Sequence, residues 1–175
     1  MKYLIACSLI VAFFAASYAE VPSASDVKKI VDKHNLLRKK EGSSKMLPIK
    51  WSSKLANYAS AWAQNCAFEH GQPAEAQNED DIGQNLYASS TSNVDYESAI
   101  QNWYDEKPDY SYDSNSCRSG KMCGHYTQVV WATTTEVGCA VQMCNKGIEG
   151  LPWPRGHIIV CNYLPPGNWE GEKPY

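Results

Sequence analysis

The chain has 175 residues, a formal net charge of −3 and 20% charged residues, one domain's worth of sequence with room for a hydrophobic core. A mildly acidic balance argues against the basic face of a nucleic-acid binder and against a polybasic membrane-surface protein. Six tryptophans and eleven tyrosines are many for this length, and amphipathic rings of that kind line ligand grooves as well as cores.

The opening MKYLIACSLIVAFFAASYAE joins a basic Lys2, an apolar run from Tyr3 to Ala16, and small residues at Ser17 and Ala19. It reads as a secretory signal peptide over residues 1–19, cleaved after Ala19. The run is shorter than the roughly 18 residues a membrane span needs, so no transmembrane segment is expected after cleavage. Loss of Cys7 leaves Cys66, Cys117, Cys123, Cys139, Cys144 and Cys161. An even number in an exported chain implies three disulfides, and the count alone leaves fifteen pairings open. Metal thiolate ligation is the rival reading, but no pair is spaced Cys-x-x-Cys. No Asn-x-Ser/Thr sequon occurs.

Ser25 can cap a first helix over about 26–40, with Val27, Ile30, Val31, His34 and Leu37 on one face. After the loop EGSSKMLP, Leu55, Tyr58, Ala59, Trp62 and Cys66 set a second helical period ending between Cys66 and His70. The stretch GQPAEAQNEDDIGQNLY has little apolar content before Ile82 and reads as a surface excursion that regains the core at IGQNLY. A third helix spans Val94 to Glu106, buries Ile100 and Trp103, and is stopped by Pro108. DYSYDSNSCRSGKMCG is a loop, HYTQVVW a short helix, and TEVGCAVQMC and HIIVCNYLP are paired strands across the hairpin loop NKGIEGLPWPRG. YLPPGNWEGEKPY is a poor strand whose aromatics fold back in a structural role. Helices early and strands late predict a single α+β domain over 20–175, an α-β-α sandwich around a small antiparallel sheet.

Four stretches, GHYTQVVW from Gly124, CNYLPPGNWEGEKPY from Cys161, CAFEHG from Cys66 and IGQNLY from Ile82, together resemble the CAP superfamily. This groups the cysteine-rich secretory proteins, antigen 5 and plant pathogenesis-related proteins, and the likeness spans the mature chain. It implies the same sandwich fold, disulfides Cys66 with Cys144, Cys117 with Cys123 and Cys139 with Cys161, and a cleft built from His70, Gln84, Glu106 and His125. The sequence closes at GEKPY without the cysteine-rich tail of ion-channel-blocking relatives, so channel blockade is not expected.

Relatives usually carry Gly-Glu-Asn-Leu where this chain has Gly83-Gln84-Asn85-Leu86, so a neutral amide replaces one cleft carboxylate. Two imidazoles beside carboxylates suit zinc. The change predicts a weak divalent metal at most, held by His70 and His125, with Glu106 hydrogen-bonded nearby or ligating through water and Glu69 or Glu136 as substitutes. His34 and His157 read as packing residues, and a polar network bracing the cleft competes with a metal site for His70 and His125.

Catalysis is not expected. There is no Gly-x-Ser-x-Gly elbow, no His-Glu-x-x-His and no cysteine left unpaired. The binding feature is NWYDEKPDYSYDSNSC, where Trp103, Tyr104, Tyr110 and Tyr112 surround a proline-broken, disulfide-ended loop. It is similar to the caveolin-like loop at which relatives bind sterols, and flat rings with wet hydroxyls suit a rigid sterol. Trp103 also reads as core, and the tyrosines as surface cover. The sequence therefore predicts a secreted, monomeric or weakly dimeric domain that binds a sterol or other lipid and needs no cofactor. The alternatives are an extracellular interaction protein with a protein receptor in defence, venom or host contact, and a metal-assisted hydrolase.

Overall fold

A computed structural model describes residues 19–79 and 81–175. Apart from Ala19, the expected signal peptide lies outside the described residues. Helix α1, Ala24–Lys39, is capped by Ser23, whose hydroxyl accepts the Asp26 N–H, two residues earlier than the expected Ser25. It buries Ile30, His34, Leu37 and Arg38. Helix α2, Ser53–Ala63, buries Leu55, Ala56, Ala59 and Ala63. It ends before the predicted stop because Cys66 turns into the left-handed region, φ 50°, where its sulfur meets Cys144. Helix α3, Tyr96–Tyr104, starts at an Asp95 cap that accepts the Ser98 N–H, and a 3-10 turn, Lys107–Asp109, follows it at Pro108. Helix α4 is the single-and-a-half turn Gly124–Val129.

Strands β1 (Lys50–Trp51), β2 (Gly83–Ser89), β5 (Glu136–Cys144) and β6 (Gly156–Leu164) form one sheet in the order β1-β5-β6-β2. The three long strands are antiparallel, as expected, and the two-residue β1 adds a parallel edge. The surface excursion thus hides a full edge strand, β2, and the aromatic loop holds a small hairpin of β3 (Tyr110–Ser111) and β4 (Ser116–Cys117).

Alternation along the two central strands builds two cores. Val137, Cys139, Val141, Ile159, Cys161 and Tyr163 join the cluster made with α1, α3 and α4. Ala140, Cys144, Ile158 and Val160 join Ala59 and Ala63 of α2. Helix α2 sits so close that a Cβ at Gly138 would lie 2.2 Å from the Ala56 nitrogen, which is why that strand position is glycine. All three disulfides follow the expected pairing, and Cys139 and Cys161 are direct cross-strand partners. Among the described residues no helix is long and apolar enough to cross a membrane.

Candidate functional site

The four residues that the resemblance assigns to a cleft form two hydrogen-bonded pairs delivered by different elements. After α2, the Trp62 indole donates to the Glu69 carbonyl at 3.0 Å, and Gly71 lies against the Trp62 ring so tightly that a Cβ there would be 2.3 Å from it. This fixes the His70–Gly71 turn beside β2. Gln84 on β2 clamps the turn from both sides: its Oε1 accepts the Gly71 N–H at 3.2 Å, and its Nε2 donates to the Gly71 carbonyl at 2.7 Å. That backbone pair sets which way the amide points. His70 Nδ1 lies 3.1 Å from the same Oε1 and so carries the proton.

The second pair joins α3 to α4. Glu106 accepts the His125 and Tyr126 N–H groups with one oxygen, both at 3.1 Å, and His125 Nδ1 with the other at 2.6 Å. Two of the orphan donors at the start of α4 are thereby satisfied by a carboxylate from the turn that follows α3. The His125 ring stacks on Trp103, centroids 6.3 Å apart, and Asn85 donates to the His125 carbonyl at 3.1 Å. Asn85 neighbours Gln84 in β2, and because successive strand residues face opposite sides of the sheet, the strand gives Gln84 to the pair on the α2 side and Asn85 to the pair on the α4 side.

Sequence reasoning missed the amides behind Gln84. Asn162 on β6 accepts from Gln84 Nε2 and Gln72 Nε2, each at 3.1 Å, and donates to Gln72 Oε1. An asparagine inside the otherwise apolar run HIIVCNYL was the available signal, because a buried strand amide must find partners. Of the carboxylates considered as substitutes, Glu136 pairs with Lys50 at 3.2 Å at the β1 edge, and Glu69 is exposed. His34 and His157 are buried, bonded to the Ile30 and Thr91 carbonyls, both at 2.8 Å.

Among the described residues no three His, Cys, Asp or Glu side chains are grouped so as to hold a metal ion. Both Glu106 oxygens are taken by N–H donors and Gln84 Oε1 faces His70 and Gly71, so these two orient the imidazoles. With each Nδ1 tied to oxygen, the Nε2 atoms of His70 and His125 remain as lone-pair donors, the protonation that histidine metal ligands adopt.

The four loop aromatics do not share one surface. Trp103 is 1% exposed, donates to the Leu86 carbonyl at 2.9 Å and belongs to the core. Tyr104 is buried, its hydroxyl 2.6 Å from Glu41. Tyr110 is half-buried, and Tyr112 is exposed and stacked on Tyr175 with centroids 4.9 Å apart. The C-terminal segment 168–175 crosses beside them: Asn115 donates to the Glu172 carbonyl at 2.9 Å and Ala132 to that of Pro174 at 2.6 Å. Between this strap and the hairpin runs a groove of about 310 Å³ walled by Tyr110, the Cys117–Cys123 disulfide, Trp131, Trp169 and Pro174. Thr127 and Asn168, hydrogen-bonded at 2.6 Å, add polar groups to its lining.

The family of cysteine-rich secretory proteins, CAP, matches residues 31–163. The chain is 38% identical over 148 residues to peptidase inhibitor 16 of Bos taurus, covering 83% of this chain and 31% of that protein. Identity to cysteine-rich secretory protein LCCL domain-containing 1 of Homo sapiens is 41% over 162 residues, 86% of this chain and 32% of that one. The chain thus spans about a third of the length of these relatives. To pathogenesis-related protein 1A of Nicotiana tabacum it is 40% identical over 151 residues, covering 83% of this chain and 78% of the other. The solved structure of Schistosoma mansoni venom allergen-like protein 4 superposes with a TM-score of 0.69 at 30% identity, covering 87% and 95% of the two chains. That of NaASP2 with Zn2+ gives 0.66 at 25% identity over 89% and 90%. With the family matching well over half of the sequence, the chain belongs to the CAP family of cysteine-rich secretory proteins.

Proposed function

We propose that this chain is an extracellular CAP-domain binding protein that takes up a sterol or a similar rigid hydrophobic ligand rather than catalysing a reaction. The observation that carries this reading is the groove between the β3–β4 hairpin and the C-terminal strap, in which Tyr110, Trp131, Trp169 and Pro174 offer flat apolar faces. Its polar lining from Thr127 and Asn168 could meet a ligand hydroxyl, and its volume of about 310 Å³ lies at the lower end of small-molecule sites. Of the aromatic loop predicted from sequence, Tyr110 and Tyr112 are the rings a ligand could reach, and Trp103 and Tyr104 hold the loop's base in place. Three disulfides and membership of a secretory family support the extracellular assignment.

The test is mass spectrometry of lipids that co-purify with the secreted, disulfide-formed protein, followed by a sterol titration. Stoichiometric sterol is expected, with affinity falling about tenfold in Trp169→Ala, whose ring is 48% exposed and can be removed without opening the core. Tyr110→Ala should fall similarly, although its ring also contacts Tyr126 at 5.7 Å, so its melting temperature must be followed. A protein that emerges empty and ignores added sterol overturns the reading in favour of a protein receptor.

A weak zinc site in the cleft is a second reading. The observation favouring it is the free Nε2 on both cleft histidines, and NaASP2, which resembles this chain, has been solved with Zn2+. Zinc there would be held by His70 and His125, with water completing its shell, and would brace the α2–β2 turn against α4.

A further inference from the structure

The strap formed by residues 168–175 stands between two grooves. Beyond the groove of about 310 Å³ that it shares with the β3–β4 hairpin lies another of about 340 Å³ on its far side, lined by Lys45, Tyr112, Thr133 and Tyr175. Trp131, Glu172 and Pro174 line both. Trp131 is buried and its neighbour Ala132 donates to the Pro174 carbonyl at 2.6 Å, so the strap crosses the chain at this tryptophan. The crossing also divides the two rings of the aromatic loop that a ligand could reach: Tyr110 lines the near groove and Tyr112 the far one. Each groove alone lies at the lower end of small-molecule sites, and a four-ring sterol with its side chain overfills either.

The strap is held unevenly along its length. At one end Asn168 is fixed to α4, accepting from Thr127 Oγ1 at 2.6 Å and donating to the Gly124 carbonyl at 2.9 Å. Residues 169–173 are exposed, and Gly171 bends the backbone at φ 79° with nothing within 4 Å of where a Cβ would stand. At the other end the Tyr175 hydroxyl donates to Glu41 at 2.9 Å and lies 3.1 Å from that of Tyr126. Glu41 has a side chain only 2% exposed, and it also accepts from Lys107 Nζ at 2.8 Å and from the Tyr104 hydroxyl at 2.6 Å. Those two donors stay in place when Tyr175 leaves. The buried carboxylate therefore remains paired, and no uncompensated charge opposes release of the strap.

We infer that the two grooves are halves of one ligand site and that Tyr175 is the latch between them: once its hydroxyl leaves Glu41, residues 172–175 swing out about Gly171 and the ligand lies across Trp131 from Tyr110 to Tyr112. The site rests on the hydrophobic-ligand reading and deepens it, because the far groove then helps to set the length of ligand that fits. Tyr175 now stacks on Tyr112 with centroids 4.9 Å apart. A flat ring system takes its place there and replaces Pro174 at Trp131, so the apolar contact that the strap gives up is regained by the ligand. Glu41 is a positioning residue that acts through Tyr175.

The test is titration of the secreted protein with dehydroergosterol, followed by the fluorescence anisotropy of the sterol. Saturation at one sterol per chain is expected; two per chain would make the grooves independent and overturn the inference. Thr133→Arg puts a long charged side chain into the far groove from an exposed position and should weaken binding about tenfold, as Trp169→Ala does from the near side. Tyr175→Phe keeps the ring on Tyr112 but removes the bond to Glu41, so sterol association should speed about tenfold. Its melting temperature should change little, because Glu41 keeps Tyr104 and Lys107. Weakening by Trp169→Ala with none by Thr133→Arg would leave the sterol reading standing and overturn the joined site. An unchanged association rate in Tyr175→Phe would overturn the latch. Failure of the parent protein to take up the sterol overturns the reading beneath, and the joined site with it.

Discussion

Gln84 shows how a single side chain can decide what a cleft does. It spends one amide oxygen on His70 and the Gly71 N–H, and its two amide hydrogens on the Gly71 and Asn162 oxygens. A glutamate, the residue relatives usually carry here, could keep the first set but would press a second oxygen toward the Gly71 carbonyl that now lies 2.7 Å from Nε2. Gln84→Glu should therefore cost the metal-free protein about 1 kcal/mol, from a half-buried Gly71 carbonyl left without its donor and facing a second oxygen. It should also tighten zinc binding, because a carboxylate then faces the cation across His70. Melting curves with chelator and with zinc separate the two effects: a lower midpoint in chelator and a larger zinc-induced rise are expected. Equal zinc affinity in the two proteins would place Gln84 outside the influence of the metal. His70, His125 and Glu106 were singled out only through the likeness of their motifs to the CAP family, since a single histidine or glutamate in the sequence carries no sign of its partner. Gln72 and Asn162 were not, because they meet 90 residues apart and neither carries a local sign of the other.

Among the elements, α1 is tied to β6 by a histidine that must stay neutral. His34 Nδ1 donates to the Ile30 carbonyl, which leaves Nε2 to accept the Tyr163 hydroxyl at 3.0 Å. Burial lowers its pKa to about 4, with the nearby Arg38 charge acting in the same direction. In the unfolded chain the imidazole takes its proton near pH 6.5. The stabilisation is complete above pH 6.5 and lost as pH falls toward 4, about 3 kcal/mol across that window. Denaturant midpoints should fall steeply between those limits. His34→Gln, which can donate to Ile30 and accept from Tyr163, should flatten the slope, and an unchanged slope would assign the acid sensitivity to other groups. The long helices were readable because their apolar spacing is regular. Strand β2 was not, because Gln84 and Asn85 spend their amides on Gly71 and on the His125 carbonyl from opposite faces of the strand and break the hydrophobic signal while the backbone pairs fully with β6. The end of α2 was misplaced for a related reason: Cys66 has the apolar spacing of the helix, but its disulfide to Cys144 needs a left-handed turn.

For the whole molecule, the sheet separates two cores of unequal kind, and the disulfides reinforce them differently. The larger core contains Trp103, Tyr126 and Tyr163 and carries both grooves on its flanks. The smaller one under α2 is built largely from alanines and Ile158 and Val160, so it buries less per residue and depends more on the covalent link that closes it. Cys66–Cys144 spans 78 residues and ties the end of α2 to β5, whereas Cys117–Cys123 spans 6 and ties the end of the aromatic hairpin to the start of α4. Loop-closure entropy assigns about 4–5 kcal/mol to the first and about 2 kcal/mol to the second. The paired change Cys66→Ser with Cys144→Ser should therefore lower the unfolding free energy about twice as much as Cys117→Ser with Cys123→Ser. The two variants should also differ in what they disturb. Loss of the long link frees the His70–Gly71 turn and should weaken zinc binding with little effect on the strap groove. Loss of the short one loosens a wall of that groove and should weaken the hydrophobic ligand while sparing zinc. If both variants lost both ligands in parallel, the two sites would have to be coupled through the sheet rather than held by separate layers of the sandwich.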